Sequence, residues 1–243
     1  MAPLRLDKYL AQSGERSRKE AAQLLRSGAV QVDGVLERDP ACKVDPDRQT
    51  ITLQGEMVED RALQYYLLHK PAGFLTAAQD HRAQTVMDLL PETLSKRKVL
   101  PVGRLDKDAT GLLLLTNDGK LAHGLLAPKS HVLKEYHVRV EGRLEESDTL
   151  AFGAGLALSD FTAKPSRMKI ESACDAYSDA VVWLSEGKFH QVKRMFGARG
   201  HTVVRLCRAA FGPLRLTPDL PEGAYRELTA QEVESLRDAL KKG

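Results

Sequence analysis

The sequence predicts an α+β protein with a large domain built on a mostly antiparallel mixed sheet and a small N-terminal helix-helix-hairpin domain. Helix-capping signals are followed by a hairpin turn within the first 35 or so of its 243 residues. Beyond residue 60, strand-like stretches outnumber helical ones and do not alternate with them as βαβ units would. We therefore expect domains at residues 1–60 and 61–243.

The N-terminal elements follow from local signals in ERSRKEAAQLLRSGAVQVDGVLERD. Ser17 and Glu20 form a capping box that starts the second helix, and Gly28 stands where that helix should end. The pair Asp33-Gly34 is a strong hairpin turn signal between valine-rich stretches. The predicted order is helix, helix, hairpin.

The larger domain begins with strand-like residues 65–68, which end in the turn signal HKPAGF. LLLLT reads as a buried strand, KLAHGLLAP as a helix stopped by a proline, and EYHVRVEG and AVVWLSEG as strands. A final helix starts at Thr229, where Glu232 completes a second capping box. Between these, KFHQVKRMFGARG has four apolar side chains at the spacing of one helix face: Phe189, Val192, Met195 and Phe196.

Composition excludes several classes of protein. The chain is 42% hydrophobic and 28% charged, which is typical of a soluble globular protein. Its apolar runs are shorter than the roughly 18 residues of a membrane span and its N-terminal stretch is polar, so we expect a cytoplasmic protein. The three cysteines are far apart, and the histidines lack ligand spacing, so the sequence predicts neither a disulfide framework nor a metal site.

The net charge is only +3, but the basic residues are unevenly distributed. Two basic clusters fit a polyanionic partner better than an evenly charged surface would. The clusters are Arg5, Lys8, Arg16, Arg18, Lys19 and Arg26, and Lys188, Lys193, Arg194, Arg199, Arg205 and Arg208. Side chains at the start of the second helix could bind phosphates, although a solvated helix end is the alternative.

The stretch VGRLDKDATGLLLLTNDG sets two carboxylates beside a predicted buried strand. A calcium loop fails, because position 12 would be Asn117 rather than glutamate. A glycosidase pair is a weak alternative, since Asp106 and Asp108 have no fixed orientation on a loop, and the zinc deaminase motifs are missing. An isolated GRLD also fits a capped turn in which Asp106 only accepts backbone amides.

The residues LRLDKYLAQSGERSRKEAAQLLRSGAVQVDG resemble the S-four-type, or alpha-L, RNA-binding module over about residues 4–53. The resemblance implies that the first basic cluster contacts RNA, through Arg5, Lys8, Arg16, Arg18 and Lys19. Beyond it, VGRLDKDATGLLLLTNDG, LKEYHVRV and LSEGKFHQVKRMF match, in this order, three motifs of the pseudouridine synthase superfamily. The match is closest to its RsuA branch, which modifies ribosomal RNA.

This second resemblance implies site residues one at a time. Asp106 matches the catalytic aspartate, Tyr136 the tyrosine that contacts the flipped uracil, and Lys193 the cation that pairs with the aspartate. Arg104 matches an arginine that fills the space of the flipped base, and Leu206 an apolar position beside it. Arg194 and Arg208, from the second basic cluster, complete the expected RNA-binding set. Asp108 is expected to shape the loop or to cap a turn.

The resemblance implies isomerisation of uridine to pseudouridine in ribosomal RNA or a pre-ribosomal particle, by a monomer. Cleavage at N1, rotation of the uracil and reattachment through C5 need no cofactor. Asp106 could attack C1′ or remove the 2′ proton, and the sequence does not choose between these roles. The small-subunit 16S RNA is the expected target. A large-subunit 23S RNA target and a non-catalytic ribosome-assembly factor remain alternatives.

Overall fold

The computed structural model describes residues 4–13, 16–46, 48–58 and 63–241. The chain divides into two compact units, residues 1–64 with 92–99, and residues 65–91 with 100–243. The expected boundary between residues 60 and 61 lies outside the described residues. Within the described ranges, no helix is long and apolar enough to cross a membrane.

The first unit contains two packed helices, short strands and a later helical segment. Its elements are β1 (Leu4–Arg5), α1 (Leu6–Ser13), α2 (Arg18–Ser27), β2 (Val30–Val32), β3 (Val35–Leu36), β4 (Lys43–Val44), β5 (Ile51–Leu53), β6 (Glu56–Met57) and α3 (Glu92–Lys96). The strand order β3-β2-β5-β6 forms one sheet, and β1 pairs with β4. Side chains from both helices and three strands form the core: Leu6, Tyr9, Leu10, Ala21, Leu25, Val30, Val44 and Ile51.

The local signals of the first unit are confirmed. Ser17 caps α2, with its backbone N–H donating to Glu20 at 2.6 Å and its hydroxyl accepting from the Glu20 N–H at 3.3 Å. Gly28 ends the helix in the left-handed conformation, at φ +82°. The hairpin turns at Asp33 and Gly34, both with positive φ, as a type I′ turn requires. The strands β1, β4, β5 and β6 carry no comparable local signal and were not predicted.

The second unit is built on one large sheet. Its elements are β7 (Tyr65–Lys70), a 3₁₀ helix (Val86–Leu89), β8 (Leu100–Pro101), β9 (Thr110–Thr116), α4 (Gly119–Leu126), a second 3₁₀ helix (Pro128–Ser130), β10 (Lys134–Glu141), α5 (Glu146–Ala154), β11 (Leu156–Ala157), β12 (Thr162–Ala163), β13 (Arg167–Ala173), β14 (Tyr177–Leu184), α6 (Gln191–Ala198), β15 (Val203–Phe211), β16 (Leu214–Arg215), β17 (Tyr225–Glu227) and α7 (Ala230–Lys241). The strand order is β13-β14-β10-β15-β9-β7-β17, with β16 beside β15 and β8 beside β9.

Every pairing in this sheet is antiparallel except that of β15 with β9. The predicted α+β class with a mostly antiparallel mixed sheet is therefore confirmed. All seven residues of β9 are buried, as its leucine run predicts. Beneath β9, α4 and α7 contribute to a core that includes Leu112, Leu114, Leu121, Leu125, Phe211, Val233 and Leu236.

The glycine at position 111 allows the parallel pairing. A Cβ atom there would lie 2.4 Å from the carbonyl oxygen of Arg208, and the backbone has φ +112°. Only glycine meets both demands, since L side chains rarely adopt that conformation. Gly111 therefore lets β9 pair with β15.

One side-chain prediction for α6 is wrong. Val192, Met195 and Phe196 are buried on one face, as expected, but Phe189 is 76% exposed. The helix begins at Gln191, and His190 before it is left-handed, at φ +49°. Phe189 therefore precedes the helix and does not share its apolar face.

Candidate active site

The loop at residues 102–109, between β8 and β9, carries Asp106. Its ends are tied to the sheet, because the Val102 N–H donates to the Leu114 carbonyl at 2.8 Å and β9 begins directly after Ala109. Within the loop, the Ala109 N–H donates to the Asp106 carbonyl at 3.1 Å and closes a turn. The Asp106 side chain is 23% exposed and faces the cleft of the second unit.

Lys70, the last residue of β7, supports this loop from beneath. Its side chain is fully buried. Its Nζ donates to three carbonyl oxygens, those of Pro71 at 3.0 Å, Lys107 at 3.2 Å and Ala109 at 2.7 Å. Burial lowers the pKa of Lys70 to about 8, while the three carbonyl acceptors favour the ammonium form.

Thr76 holds the loop at a second point. Its hydroxyl donates to the Leu105 carbonyl at 2.8 Å and accepts from the Leu105 N–H at 3.2 Å. The N–H and the carbonyl of Leu105, the residue before Asp106, thus both hydrogen-bond to the buried Thr76 side chain. Together with Lys70, this contact fixes the backbone on both sides of Asp106.

Two side chains at the start of α6, those of His190 just before the helix and Lys193 in its first turn, face the Asp106 carboxylate. The His190 Nε2 lies 3.5 Å from Oδ1, and the Lys193 Nζ lies 3.6 Å from Oδ2. Lys193 is closer to Asp108, whose two carboxylate oxygens accept from its Nζ at 2.6 and 2.7 Å. The expected proximity of Lys193 to Asp106 is thus present, but Asp108 is the nearer partner.

The hydrogen bond from Lys193 lowers the pKa of the Asp108 carboxyl, against the opposing effect of burial. Asp108 therefore belongs to the charge network of the site as an anion. Asp108 was expected only to shape the loop or to cap a turn, and its hydrogen bonds with Lys193 were not predicted. The signal that could have indicated them is the DKD spacing, which presents two carboxylates to one cation.

The cleft encloses about 60 Å³, and its walls come from several strands. Tyr136 on β10 and Leu206 on β15 are 8% and 7% exposed and line it together with Asp106. The register places Val138 opposite Leu206. Tyr136 is two residues from Val138 on β10, so Tyr136 and Leu206 lie on the same face of the sheet. Arg104 is exposed and lies at the same cleft. An aromatic ring, an apolar side chain and a carboxylate thus surround a space open to a flat, neutral ring.

Arg208 lies in a different environment from the one expected of an RNA-binding side chain. It is 3% exposed, and its Nε donates to the Leu112 carbonyl at 2.8 Å. Its guanidinium lies 5.2 Å from the ring centroid of Phe211. The guanidinium thus links β15 to β9, and the contact of Arg208 with RNA stays a prediction.

The other predicted RNA-binding side chains differ in their exposure and in the ion pairs that they form within the protein. Arg194 donates to the Ser159 hydroxyl at 3.0 Å and to the Asp160 carboxylate, and it lies over the Phe161 ring. In the first unit, Arg5 and Arg18 both pair with the buried Asp7, at 2.9 and 3.0 Å. Lys8 and Lys19 are exposed, and Arg16 is half-buried.

Lys70, Thr76 and His190 are further residues of the site that the sequence reasoning did not assign to it. Lys70 stands in HKPAGF, which was read only as a turn. For His190 the sequence indicates only that the histidines lack the spacing of metal ligands, yet its ring lies 3.5 Å from the Asp106 carboxylate. The buried lysine had no sequence signal beyond its place at a strand end.

Comparisons with known proteins show the family of the chain. Residues 64–198 match the RNA pseudouridylate synthase family, and residues 4–49 match the S4 domain. The chain is 42% identical to the uncharacterized RNA pseudouridine synthase YtzG of Bacillus subtilis (strain 168), over 97% of this chain and 99% of that protein. It is 39% identical to the ribosomal small subunit pseudouridine synthase A of Pseudomonas aeruginosa, over 95% and 99% of the two chains.

A solved structure also matches nearly the whole chain. It is a crystal structure of a pseudouridylate synthase, with a TM-score of 0.68 and 34% identity, covering 96% of this chain and 99% of that one. The fold of this chain thus recurs in a solved pseudouridylate synthase. The chain belongs to the RNA pseudouridylate synthase family and carries an S4 domain at its N-terminal end.

Proposed function

We propose that this enzyme isomerises a specific uridine of ribosomal RNA to pseudouridine, and that the target lies in the small subunit. The observation that carries the activity is Asp106, held on a backbone fixed by Lys70 and Thr76 and facing a cleft lined by Tyr136 and Leu206. The relative from Pseudomonas aeruginosa, named for the small ribosomal subunit, supports the choice of target.

The reaction breaks the bond between C1′ and N1 and forms one between C1′ and C5. The uracil N1 gains a proton, and C5 loses one. The Asp106 carboxylate starts the reaction either by attacking C1′ or by removing the 2′ proton, and carboxylates serve in both roles. The Lys193 Nζ, 3.6 Å from Oδ2, and the His190 Nε2, 3.5 Å from Oδ1, face this carboxylate across the cleft.

The target base has to leave its stack before it reaches this cleft. Unstacking costs a few kcal/mol in a duplex and less in a loop. Arg104, exposed at the cleft, is placed to offset part of this cost by filling the space that the base vacates. Tyr136 then holds the uracil by ring contact, and Leu206 packs beside it.

The S4 domain supplies the sequence-independent part of RNA binding. We assign this role to Lys8, Arg16 and Lys19, with Arg18 contributing less because Asp7 already neutralises it.

The enzyme is expected to act in the cytoplasm and as a monomer. Light scattering of the purified chain tests the oligomeric state.

Release of tritium from uracil C5 tests the activity. Wild-type enzyme should release tritium from 5-labelled small-subunit RNA, because the C5 proton leaves in the reaction. Asp106→Asn keeps the shape of the side chain and removes its charge, so it should release none while binding RNA with wild-type affinity. Equal release by this variant would refute the role of Asp106.

A second experiment identifies the target. Pseudouridines are mapped in ribosomal RNA from cells with and without the gene. We expect one small-subunit position to revert to uridine in the deletion strain. Reversion in large-subunit RNA would instead support the alternative target, and no change with retained RNA binding would support an assembly factor without catalysis.

A further inference from the structure

Phe189 is an aromatic side chain that the protein exposes beside the cleft. Its 76% exposure is the highest among the large hydrophobic side chains of the described residues. The apolar face of α6 is complete without it, because Val192, Met195 and Phe196 fill that face. The Phe189 ring therefore does not contribute to the buried core.

The Phe189 ring is nevertheless held in place on one side. It stacks on the imidazole of His190, with ring centroids 3.9 Å apart and planes 15° apart. The same imidazole contacts Asp106, with Nε2 at 3.5 Å from Oδ1. One face of the phenylalanine ring is thus covered and oriented, and its position relative to Asp106 is fixed by a single intervening ring.

Basic side chains line or border the cleft beside the ring. Lys188, the residue before it, lines the cleft, and Lys193 in α6 lies there with its Nζ beside the Asp106 and Asp108 carboxylates. Arg104 is exposed at the same cleft. Aromatic rings among cations are the usual means of binding unstacked RNA bases, since every base has a face that can stack.

We propose that Phe189 is a stacking platform for the base of a nucleotide next to the target uridine in the RNA chain. This inference rests on the proposed function, because it needs an RNA strand that enters the cleft. When the target uridine turns into the cleft, its neighbour loses a stacking partner. The open face of Phe189 replaces that partner, and His190 supports the ring from behind.

The experiment measures kcat/KM for tritium release from an RNA fragment that contains the mapped uridine. Phe189→Leu keeps an apolar side chain and removes the ring, and it should lower kcat/KM by about 5- to 150-fold, the range of base-aromatic stacking. Phe189→Trp should restore wild-type values. Tyr177→Leu, at another exposed aromatic on β14, is the matched control and should leave kcat/KM unchanged.

A set of RNA fragments with one abasic nucleotide each identifies the stacked base. With the abasic nucleotide at the stacked position, wild type and Phe189→Leu should have equal kcat/KM, because the partner of the ring is gone. At other positions the difference between them should persist. Because Phe189 is exposed, thermal unfolding of Phe189→Leu should match wild type, which separates a lost contact from a damaged fold.

Two results would overturn the proposal. Wild-type kcat/KM for Phe189→Leu on intact RNA would show that the ring contributes no contact. A loss that persists whichever neighbouring nucleotide is abasic would show that the ring does not stack on a neighbouring base. Both results are distinguishable from failure of the proposed function. In that case the wild-type enzyme itself releases no tritium from any ribosomal RNA, and the proposal for Phe189 fails as well.

Discussion

Replacing Lys70 by methionine tests whether the loop of Asp106 depends on its buried support. Methionine keeps the length and apolar stem of the side chain and removes the ammonium group. The Lys107 carbonyl keeps its bond from the Gly73 N–H, at 2.7 Å. The carbonyls of Pro71 and Ala109 lose the donor that Lys70 gives them.

The expected change in the free energy of unfolding of Lys70→Met is the sum of two opposing contributions. Each carbonyl that loses its buried donor costs about 1 to 3 kcal/mol. Burial of the ammonium group is itself unfavourable, since a pKa lowered from 10.5 to about 8 corresponds to roughly 3 kcal/mol. The two effects largely offset each other, so we expect the free energy of unfolding to change by no more than about 3 kcal/mol.

Catalysis should respond far more strongly than stability. The loop has lost the support beneath Lys107 and Ala109, and a shift of about 1 Å in a reacting group can cost 10²-fold in rate. We therefore expect kcat for tritium release to fall by about 100-fold, with urea denaturation showing a folded protein. Lys134→Met is the control, because Lys134 is also buried with its pKa lowered to about 8 but contacts the Ser185 carbonyl rather than the loop.

Wild-type kcat in Lys70→Met would refute this reasoning, and so would an equal loss in Lys134→Met. The pH dependence gives an independent check. Because the pKa of Lys70 is lowered by folding, the unfolded chain binds the extra proton between about pH 8 and 10.5. The stability of wild type relative to Lys70→Met should therefore rise across this range, and it should be lowest below pH 8.

Two further predictions concern the S4 domain and the last helix. Replacing Arg16, Arg18 and Lys19 by glutamine should flatten the dependence of log affinity for ribosomal RNA on log salt by about 1.4 to 2.7, since two to three lost phosphate contacts contribute about 0.7 to 0.9 each. An unchanged slope in filter binding at several salt concentrations would contradict the assignment of these side chains to RNA binding. Glu232→Gln should lower the free energy of unfolding at pH 7 by about 1 to 3 kcal/mol, because the carboxylate accepts from Arg226 and from the Thr229 N–H. The pKa of Glu232 is lowered to about 2, so this difference should vanish as the pH falls from 4.5 towards 2, and a constant difference in denaturation curves would contradict it.

The parts of the fold that could be predicted from the sequence are those with local causes. The capping boxes at Ser17 and Thr229 satisfy the first backbone N–H groups of a helix with side chains three residues apart. The turn at Asp33 and Gly34 needs positive φ, which these residue types tolerate. Such signals act within a few residues, so they can be read without knowing the rest of the chain.

The parts of the site that could not be predicted depend on contacts between distant residues. Lys193 and Asp108 are 85 residues apart, and nothing near either one specifies their hydrogen bond. Arg208 was expected to contact RNA as part of the second basic cluster, yet β15 crosses the centre of the sheet at that position and buries it. Phe189 was placed on a helix face by its spacing, and a single left-handed residue, His190, moved it out of the helix.

The buried strand beside the carboxylates accounts for the rigidity of the site. Because β9 lies between β7 and β15, it links the strand that ends in Lys70 to the strand that carries Leu206. The loop enters β9 at Ala109, the residue whose carbonyl accepts from Lys70, and Gly111 pairs with β15 two residues later. A shift of β9 would therefore move the aspartate loop, its buried support and the apolar wall of the cleft together. The alignment of Asp106 with the base is thus set by strand pairing, while Lys193 of α6 and His190 before it face the carboxylate.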